Sequence, residues 1–255
     1  MKSALAFLGI TYATSWILWT LASLVPPGTP LRTALFLPGT FTPALVALWL
    51  TYRAAGKPGV RALVDRVFMW RVEARWYLFA FLYLAAIKLA AAIAHRFATG
   101  TWPAISEQIP WILFLVGALT STPFQAGEEI GWRGYALPRL AERIGLGGAA
   151  LLLGVIWAAW HLPLFVIPAT DLTGQSFPFY LISVMPISVA IAWVYAKTKG
   201  SLLLVMLMHA AVNNTPHWGP NASLAQWLSA LLLWLGAGYF LWRMPKLERA
   251  PEDSA

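Results

Sequence analysis

Cysteine is absent from the 255 residues of this chain. Without thiols the chain can form no disulfide, no thiolate zinc site and no cysteine nucleophile, which excludes the classes of protein that depend on them. Charged residues are also scarce, at 11% of the chain against about a quarter in soluble domains. Apolar residues fill their place, because 59% of the sequence is hydrophobic and 15 residues are Trp.

Hydrophobic runs of about twenty residues recur along nearly the whole chain, each long enough to cross about 30 Å of hydrocarbon. We therefore predict an all-α, polytopic transmembrane bundle that forms a single membrane domain over residues 1–255. The first run is too long for a signal-peptide core and is expected to stay as an anchor. Eight spans are expected, at residues 3–25, 33–52, 76–95, 111–137, 148–168, 178–196, 201–215 and 223–242.

The distribution of Lys and Arg predicts the orientation of these spans. With a cytoplasmic N-terminus, 14 basic residues lie inside, two lie outside (Arg32 and Arg96) and two lie within spans (Lys88 and Arg133). This bias favours an even number of spans and two cytoplasmic termini. We expect an integral protein of a bacterial cell membrane. Nucleic acid is not expected as a partner despite the net charge of +8, since the basic residues flank apolar runs.

Two further patterns modify the simple bundle. Prolines inside the second span (Pro38 and Pro43) and the fourth (Pro123) predict kinks, which a membrane tolerates where neighbours bond the freed carbonyls. The seventh span is short and is followed by Pro216. The basic stretch at residues 53–75 mixes charged with apolar side chains, so both an interfacial segment on anionic lipid and a solvated loop are open.

Two carboxylates and a guanidinium stand inside the apolar sequence QAGEEIGWRGY, residues 125–135. A charge at bilayer depth costs roughly 2.5 kcal/mol or more, so such residues are usually paired and functional. Glu129 and Arg133 are spaced i, i+4 in the favourable order, which predicts an ion pair that supports the structure of the site. Glu128 projects about 100° away around the helix and has no local counter-charge. Its carboxylate is therefore free to act as a general base.

Two histidines lie in other spans at comparable depth. His161 occurs in WAAWHLPLF of the fifth span, and His209 occurs in LMHAAVNN of the seventh, where Asn213 follows at i, i+4 on the same face. Either histidine alone could be a satisfied core residue. Together with Glu128 they supply a base and several hydrogen-bond donors, which are the groups needed to add water to an amide carbonyl and stabilise the oxyanion.

Three motifs in this region resemble those of a known family. EEIGWR fits EExxxR, IWAAWH resembles an aromatic-xxxH motif with Trp157 where Phe is often found, and HAAVN fits HxxxN. In this order they resemble the CAAX prenyl protease and bacteriocin-processing family of intramembrane endopeptidases, the type II CAAX or abortive-infection group. The resemblance covers about residues 111–215, and it agrees with an eight-helix core.

This resemblance implies a role for each matching residue. Glu128 and His161 would activate a water molecule, and His209 and Asn213 would stabilise the oxyanion. Glu129 and Arg133 would support the architecture. Trp157 is expected to change the shape of the pocket rather than its chemistry. The candidates to line the pocket are Trp132, Trp157 and Trp160.

Other mechanisms and functions remain open at this point. Two histidines and a glutamate could hold zinc with an open position for water, but HExxH is absent and Asn213 is a poor zinc ligand. We expect no cofactor, with zinc as the minority alternative. The expected substrate is a membrane-associated peptide or protein within the lipid bilayer. A non-catalytic scaffold or immunity protein and a proton-relaying transporter are the alternative functions.

The predicted topology can be tested with an introduced thiol, because the chain has no cysteine of its own. The fourth span runs from outside to inside, which puts position 128 in its cytoplasmic half, reached from the cytoplasm or sideways from lipid. We expect a membrane-impermeant maleimide to label Glu128→Cys in inverted membrane vesicles and not in intact cells. Labelling from the external side alone would contradict this topology.

Overall fold

Helices make up nearly all of the computed structural model, which describes residues 2–105, 111–218 and 223–245. Within these ranges there is no β-strand, only one isolated bridge between Ile105 and Trp218. Short 3-10 turns at Arg66–Phe68, Thr122–Gln125 and Leu162–Phe165, and a π-helical turn at Trp132–Ala136, interrupt the longer elements. The α-helices are α1 Lys2–Ser23, α2 Pro30–Asp65, α3 Ala74–Thr99, α4 Trp111–Ser121, α5 Ala126–Gly131, α6 Leu137–Trp160, α7 Phe177–Lys197, α8 Leu202–Asn214 and α9 Leu224–Trp242.

These helices confirm the all-α membrane fold, with a span count close to the predicted eight. Among the described residues, six helical runs are long and apolar enough to cross a membrane. One of them, Ile112–Trp160, is 49 residues long and contains two of the predicted spans. The seventh predicted span is α8, which has only 13 residues, about 20 Å of helix. It therefore covers about two thirds of the hydrocarbon thickness.

The boundaries of two elements differ from those predicted. Residues 138–147, expected as a cytoplasmic loop, are helical and belong to α6, which breaks only at Gly145 (φ 70°, ψ 163°). The second span was predicted to end at residue 52, but α2 continues to Asp65 and breaks at Gly56 (φ 60°, ψ −159°). In both places a single glycine with positive φ turns the chain where a longer loop was expected. Lys246 and Arg249 of the orientation count lie outside the described residues.

The predicted proline kinks differ in how the backbone adapts. α2 continues through its first two prolines, and Pro43 leaves the carbonyl of Gly39 without its helical donor. The Ser15 hydroxyl of α1 donates to that oxygen at 2.8 Å. In the fourth span the helix tightens into a 3-10 turn around Pro123. Both observations agree with the requirement that a chain in lipid satisfies its polar backbone groups internally.

The acidic helix α5 packs between α2 and α8. Its approach to α2 depends on Gly131, where an added Cβ would lie 2.6 Å from the carbonyl carbon and oxygen of Pro43. A contact between two backbones has no flexible side chain that could move aside. Small residues at such crossings allow membrane helices to approach closely, and this crossing sets the position of both glutamates against the bundle.

Replacement of this glycine tests the close crossing. We expect Gly131→Ala to lower the thermal unfolding temperature of the detergent-purified protein, because the methyl group forces α5 away from α2. The matched control is Gly238→Ala in α9, where an added Cβ meets nothing within 4 Å. This control should leave the unfolding temperature unchanged or raise it slightly, since Ala favours helix over Gly. Equal unfolding temperatures for the two variants would contradict the tight contact.

Candidate active site

The two adjacent carboxylates lie on α5, a helix of only six residues. The 3-10 turn precedes it and the π-helical turn follows it, so the backbone changes its winding on both sides of the glutamates. The Leu137 N–H donates to the carbonyl of Trp132, five residues back, which is the hydrogen bond of the π-helical turn. Such π-turns occur frequently at functional sites. Glu128 is 8% exposed and Glu129 is fully buried.

The expected i, i+4 ion pair is present. Arg133 Nη1 lies 2.7 Å from Glu129 Oε1, and both side chains are fully buried. A second partner was missed at the sequence level, because His209 Nδ1 lies 2.7 Å from the same oxygen. His209 comes from α8, 80 positions along the chain, and no local spacing can signal such a contact. Glu129 thus holds the histidine of another helix as well as its own arginine.

This contact determines which nitrogen of His209 carries a proton. Glu129 Oε1 accepts a hydrogen bond from the guanidinium of Arg133, and a carboxylate only accepts hydrogen bonds. Nδ1 of His209 must therefore be the donor. In the neutral ring the proton is then on Nδ1 and Nε2 carries a lone pair. His209 can donate from Nε2 to an oxyanion only as an imidazolium ion.

Glu128 has a different kind of partner. The indole Nε1–H of Trp157 donates to its Oε2 at 2.7 Å. Within the described residues Glu128 takes part in no ion pair, in agreement with the absence of a local counter-charge. Trp157, which was expected to affect the shape of the pocket, thus also donates a hydrogen bond to the candidate base.

His161 stands at the end of α6 and is half-buried. Its Nδ1 lies 2.8 Å from the carbonyl oxygen of Trp157. Because a carbonyl only accepts, Nδ1 carries the proton and Nε2 of the neutral ring is free to accept one. His161 interacts electrostatically with both Glu128 and His209. The ring of Tyr180, which the sequence analysis did not single out, lies 5.7 Å from that of His161.

The end of α6 is held by side chains of α1. The last carbonyls of a helix have no helical donor, and Trp16 Nε1 donates to one of them, that of Trp160, at 2.9 Å. The Tyr12 hydroxyl donates to the carbonyl of Ile156, one turn earlier. Both acceptors flank the turn that precedes His161. The first predicted span carries no diagnostic motif, yet it fixes the position of this histidine.

Asn213 lies apart from the buried cluster. It follows His209 by one helical turn on α8, as predicted, but its side chain is exposed whereas His209 is 2% exposed. The neighbouring Asn214 is the residue that joins α8 to α4, through a hydrogen bond from its Nδ2 to Ser121 Oγ at 2.9 Å. The structure therefore brings Glu128, His161 and His209 together and places Asn213 at the exposed edge of that group.

Lys88, for which the sequence indicated no partner, contacts the C-terminal end of α8. Its ammonium group donates to the carbonyl oxygens of Thr215, at 3.4 Å, and Pro216. A cation at a helix C-terminus is favoured by the helix dipole. Lys88 thus fixes the end of the short helix that carries His209 and Asn213.

The three candidate pocket tryptophans are all buried, but they differ in what they contact. The ring of Trp157 lies 5.1 Å from His209 and 5.7 Å from His161. The ring of Trp160 lies 4.8 Å from His161. Trp132 packs edge-on against Trp160 at 5.5 Å, one layer further from the histidines. Trp157 is therefore the tryptophan that contacts both histidines.

A catalytic zinc ion would need three protein side chains grouped around one point. In residues 2–105, 111–218 and 223–245 no group of three or more His, Asp or Glu side chains is arranged to hold a metal ion. A mechanism without a cofactor stays a prediction, to be tested by chelation.

Comparison with known proteins identifies the region that contains these side chains. Residues 107–215 match the family described as type II CAAX prenyl endopeptidase Rce1-like. The segment is an Rce1-like domain. The chain is also similar to CAAX prenyl protease 2 of Methanococcus maripaludis, with 23% identity over 222 residues, which cover 80% of each protein. The resemblance drawn from the three motifs is confirmed.

The matched segment, residues 107–215, has nearly the same bounds as the range 111–215 that the motifs indicated. It contains both carboxylates, both histidines and Asn213. Membership of a protease family supports intramembrane endopeptidase activity in general. It does not by itself assign a chemical role to any of these residues.

The buried ion pair makes a prediction about stability. We expect Glu129→Gln to destabilise the protein, because a buried cation without its partner costs about 3–5 kcal/mol. The matched control is Asp65→Asn, which breaks the exposed i, i+4 contact of Asp65 with Arg61 at 3.9 Å. Exposed pairs contribute little, so the control should unfold at the wild-type temperature in a detergent thermal melt. A melt of Glu129→Gln that matches the control would contradict the role assigned to Glu129.

Proposed function

We propose that this protein is an intramembrane endopeptidase in which Glu128 and His161 activate a water molecule and His209, with Asn213, stabilises the oxyanion. The observation that carries the proposal is the state of Glu128: within the described residues it is a buried carboxylate with a neutral donor and no ion pair, and it interacts electrostatically with His161. A carboxylate neutralised by a cation would be a weaker base.

Water activation needs one acceptor that takes a proton, and a second acceptor can hold the water by a hydrogen bond. Trp157 occupies Oε2 of Glu128, which leaves Oε1 as the acceptor. The Nε2 lone pair of His161 is a second acceptor, because its Nδ1–H is donated to a carbonyl. Glu128 takes a proton from water, and the hydroxide attacks the peptide carbonyl carbon. The proton then passes to the leaving nitrogen as the C–N bond breaks.

The attack places negative charge on the former carbonyl oxygen. His209 meets this charge as an imidazolium ion, with Nδ1–H held by Glu129 and Nε2–H directed away from it. Asn213 lies one turn further along α8 on the exposed side, where its amide can donate to a bound substrate. The Glu129–Arg133 pair orients His209 and does not touch the reacting atoms in this scheme.

Contacts at the two ends of the bundle support cytoplasmic termini. Arg66 Nη1 lies 2.7 Å from the Tyr195 hydroxyl, and Ser201 Oγ donates to Met69 at the same end, where the basic residues are concentrated. Arg32 donates to the carbonyl of Pro168 at the opposite end. α8 begins at the basic end and is only about 20 Å long. His209 therefore lies inside the hydrocarbon layer.

The substrate class we propose is a membrane-associated peptide or protein. The relative from Methanococcus maripaludis is named CAAX prenyl protease 2, which makes a prenylated CAAX peptide the first substrate to assay. An unprenylated peptide of the same sequence tests whether the lipid is required. Peptide precursors and membrane-protein tails are the other substrates to compare.

Loss of the base tests the proposal. We expect Glu128→Gln to lower the cleavage rate of the purified protein by about 10²-fold or more, while its thermal melt stays at the wild-type temperature. The matched control is Glu142→Gln, since Glu142 is an exposed glutamate of α6. It should cleave normally.

The same assay separates the alternatives. Cleavage that survives Glu128→Gln, or a cellular phenotype that survives it, would favour the scaffold or immunity function over proteolysis. Activity that vanishes after treatment with a chelator and returns with zinc would replace the metal-free mechanism with a metal-dependent one.

A further inference from the structure

Trp157 contacts four ionisable side chains of the buried cluster, those of Glu128, His161, His209 and Arg133. Its side chain is 3% exposed. The indole Nε1–H donates to Glu128 Oε2 at 2.7 Å, and the ring lies edge-on to His209 and His161. Arg133 Cζ lies 4.6 Å from the centroid of the same ring. One side chain therefore contacts both Glu128 and Arg133, which is the ion-pair partner of Glu129.

The same residue orients both members of the water-activating pair. The indole N–H fixes the carboxylate of Glu128, and the backbone carbonyl of Trp157 accepts Nδ1–H of His161 at 2.8 Å. The first contact depends on the side chain and the second does not. A substitution at position 157 can therefore remove the restraint on Glu128 while the restraint on His161 remains.

A neutral donor suits a general base better than a cation does. A cation would stabilise the ionised carboxylate by several times more than a neutral N–H and would weaken it as a base. The indole N–H holds one oxygen in place and leaves the charge on the carboxylate. With Oε2 fixed, Oε1 is the oxygen that remains to face a water molecule. Rotation of the carboxylate would otherwise interchange the two oxygens.

Arg133 couples the ion pair to this hydrogen bond. A guanidinium over an indole face is an attractive cation–π contact, and in a low-dielectric site it polarises the ring and strengthens N–H donation. The guanidinium that pairs with Glu129 thus contacts the indole that donates to Glu128, whereas within the described residues Glu128 itself takes part in no ion pair.

We propose that Trp157 is a positioning residue for Glu128, whose indole N–H holds the carboxylate in the orientation that accepts a proton from the attacking water. This inference rests on the proposed function. It replaces the idea that Trp157 only shapes the pocket, which predicts a change in substrate binding rather than in the chemical step.

Trp157→Phe keeps an aromatic ring and the backbone carbonyl but removes the donor. Because hydrogen bonds to charged groups are among the stronger ones, we expect kcat to fall about 10- to 100-fold with KM nearly unchanged. The matched control is Trp193→Phe, since Trp193 is also buried but packs on Phe240 of α9. Its kcat should stay close to that of the wild type.

A second variant distinguishes loss of the hydrogen-bond donor from loss of packing. In Trp157→His the imidazole Nε2 takes the ring position of the indole Nε1, so the donor returns although the ring is smaller than that of Phe. We expect kcat above that of Trp157→Phe, with all variants checked by thermal melting. A histidine variant no better than phenylalanine, or a change confined to KM, would overturn the positioning role.

Glu128→Gln in the same assay separates this inference from the proposed function. If Glu128→Gln abolishes cleavage while Trp157→Phe retains the wild-type kcat, the positioning role is wrong and the protease mechanism stands. If Glu128→Gln still cleaves, the mechanism itself fails. Equal losses of kcat in Trp157→Phe and Trp193→Phe would show that general packing, rather than the indole N–H, supports the site.

Discussion

The buried contact of Glu129 with Arg133 and His209 is the constraint on which the site depends. Two nitrogens from two helices meet one carboxylate oxygen at 2.7 Å each, where the side chains are almost wholly out of contact with solvent. In hydrocarbon each of these charges would be costly alone. Their mutual neutralisation allows α5 and α8 to carry polar groups at membrane depth. It also fixes the proton of His209 on Nδ1 and so defines what the histidine can do.

Adjacent glutamates acquire different roles because their surroundings differ. Glu129 is shared by a cation and an imidazole, whereas Glu128 receives a single neutral hydrogen bond from Trp157. Glu129 is thereby bound to two partners, whereas Glu128 takes part in no ion pair among the described residues. The indole of Trp157 contacts both Glu128 and Arg133. This division is the physical basis for the proteolytic mechanism proposed within the Rce1-like domain.

Much of the fold follows from local properties of the sequence. Apolar runs of membrane length identify the helices, and Pro43 predicts the freed carbonyl that Ser15 satisfies. The break positions were less predictable. Gly145 and Gly56 each turn the backbone with one residue of positive φ, and a hydropathy pattern does not distinguish such a glycine from an ordinary helical one. The span count was therefore nearly right while two boundaries were displaced.

For the site, the sequence alone determined the residue types and the i, i+4 pair of Glu129 and Arg133. Only the tertiary structure decided the partners from other helices. His209 reaches Glu129 across 80 positions, and Trp157 reaches Glu128 across 29. Helical periodicity gives the face on which a side chain lies, but it carries no information about which helix packs against that face. That choice is made by long-range packing, and the identity of the donor to Glu128 depends on it.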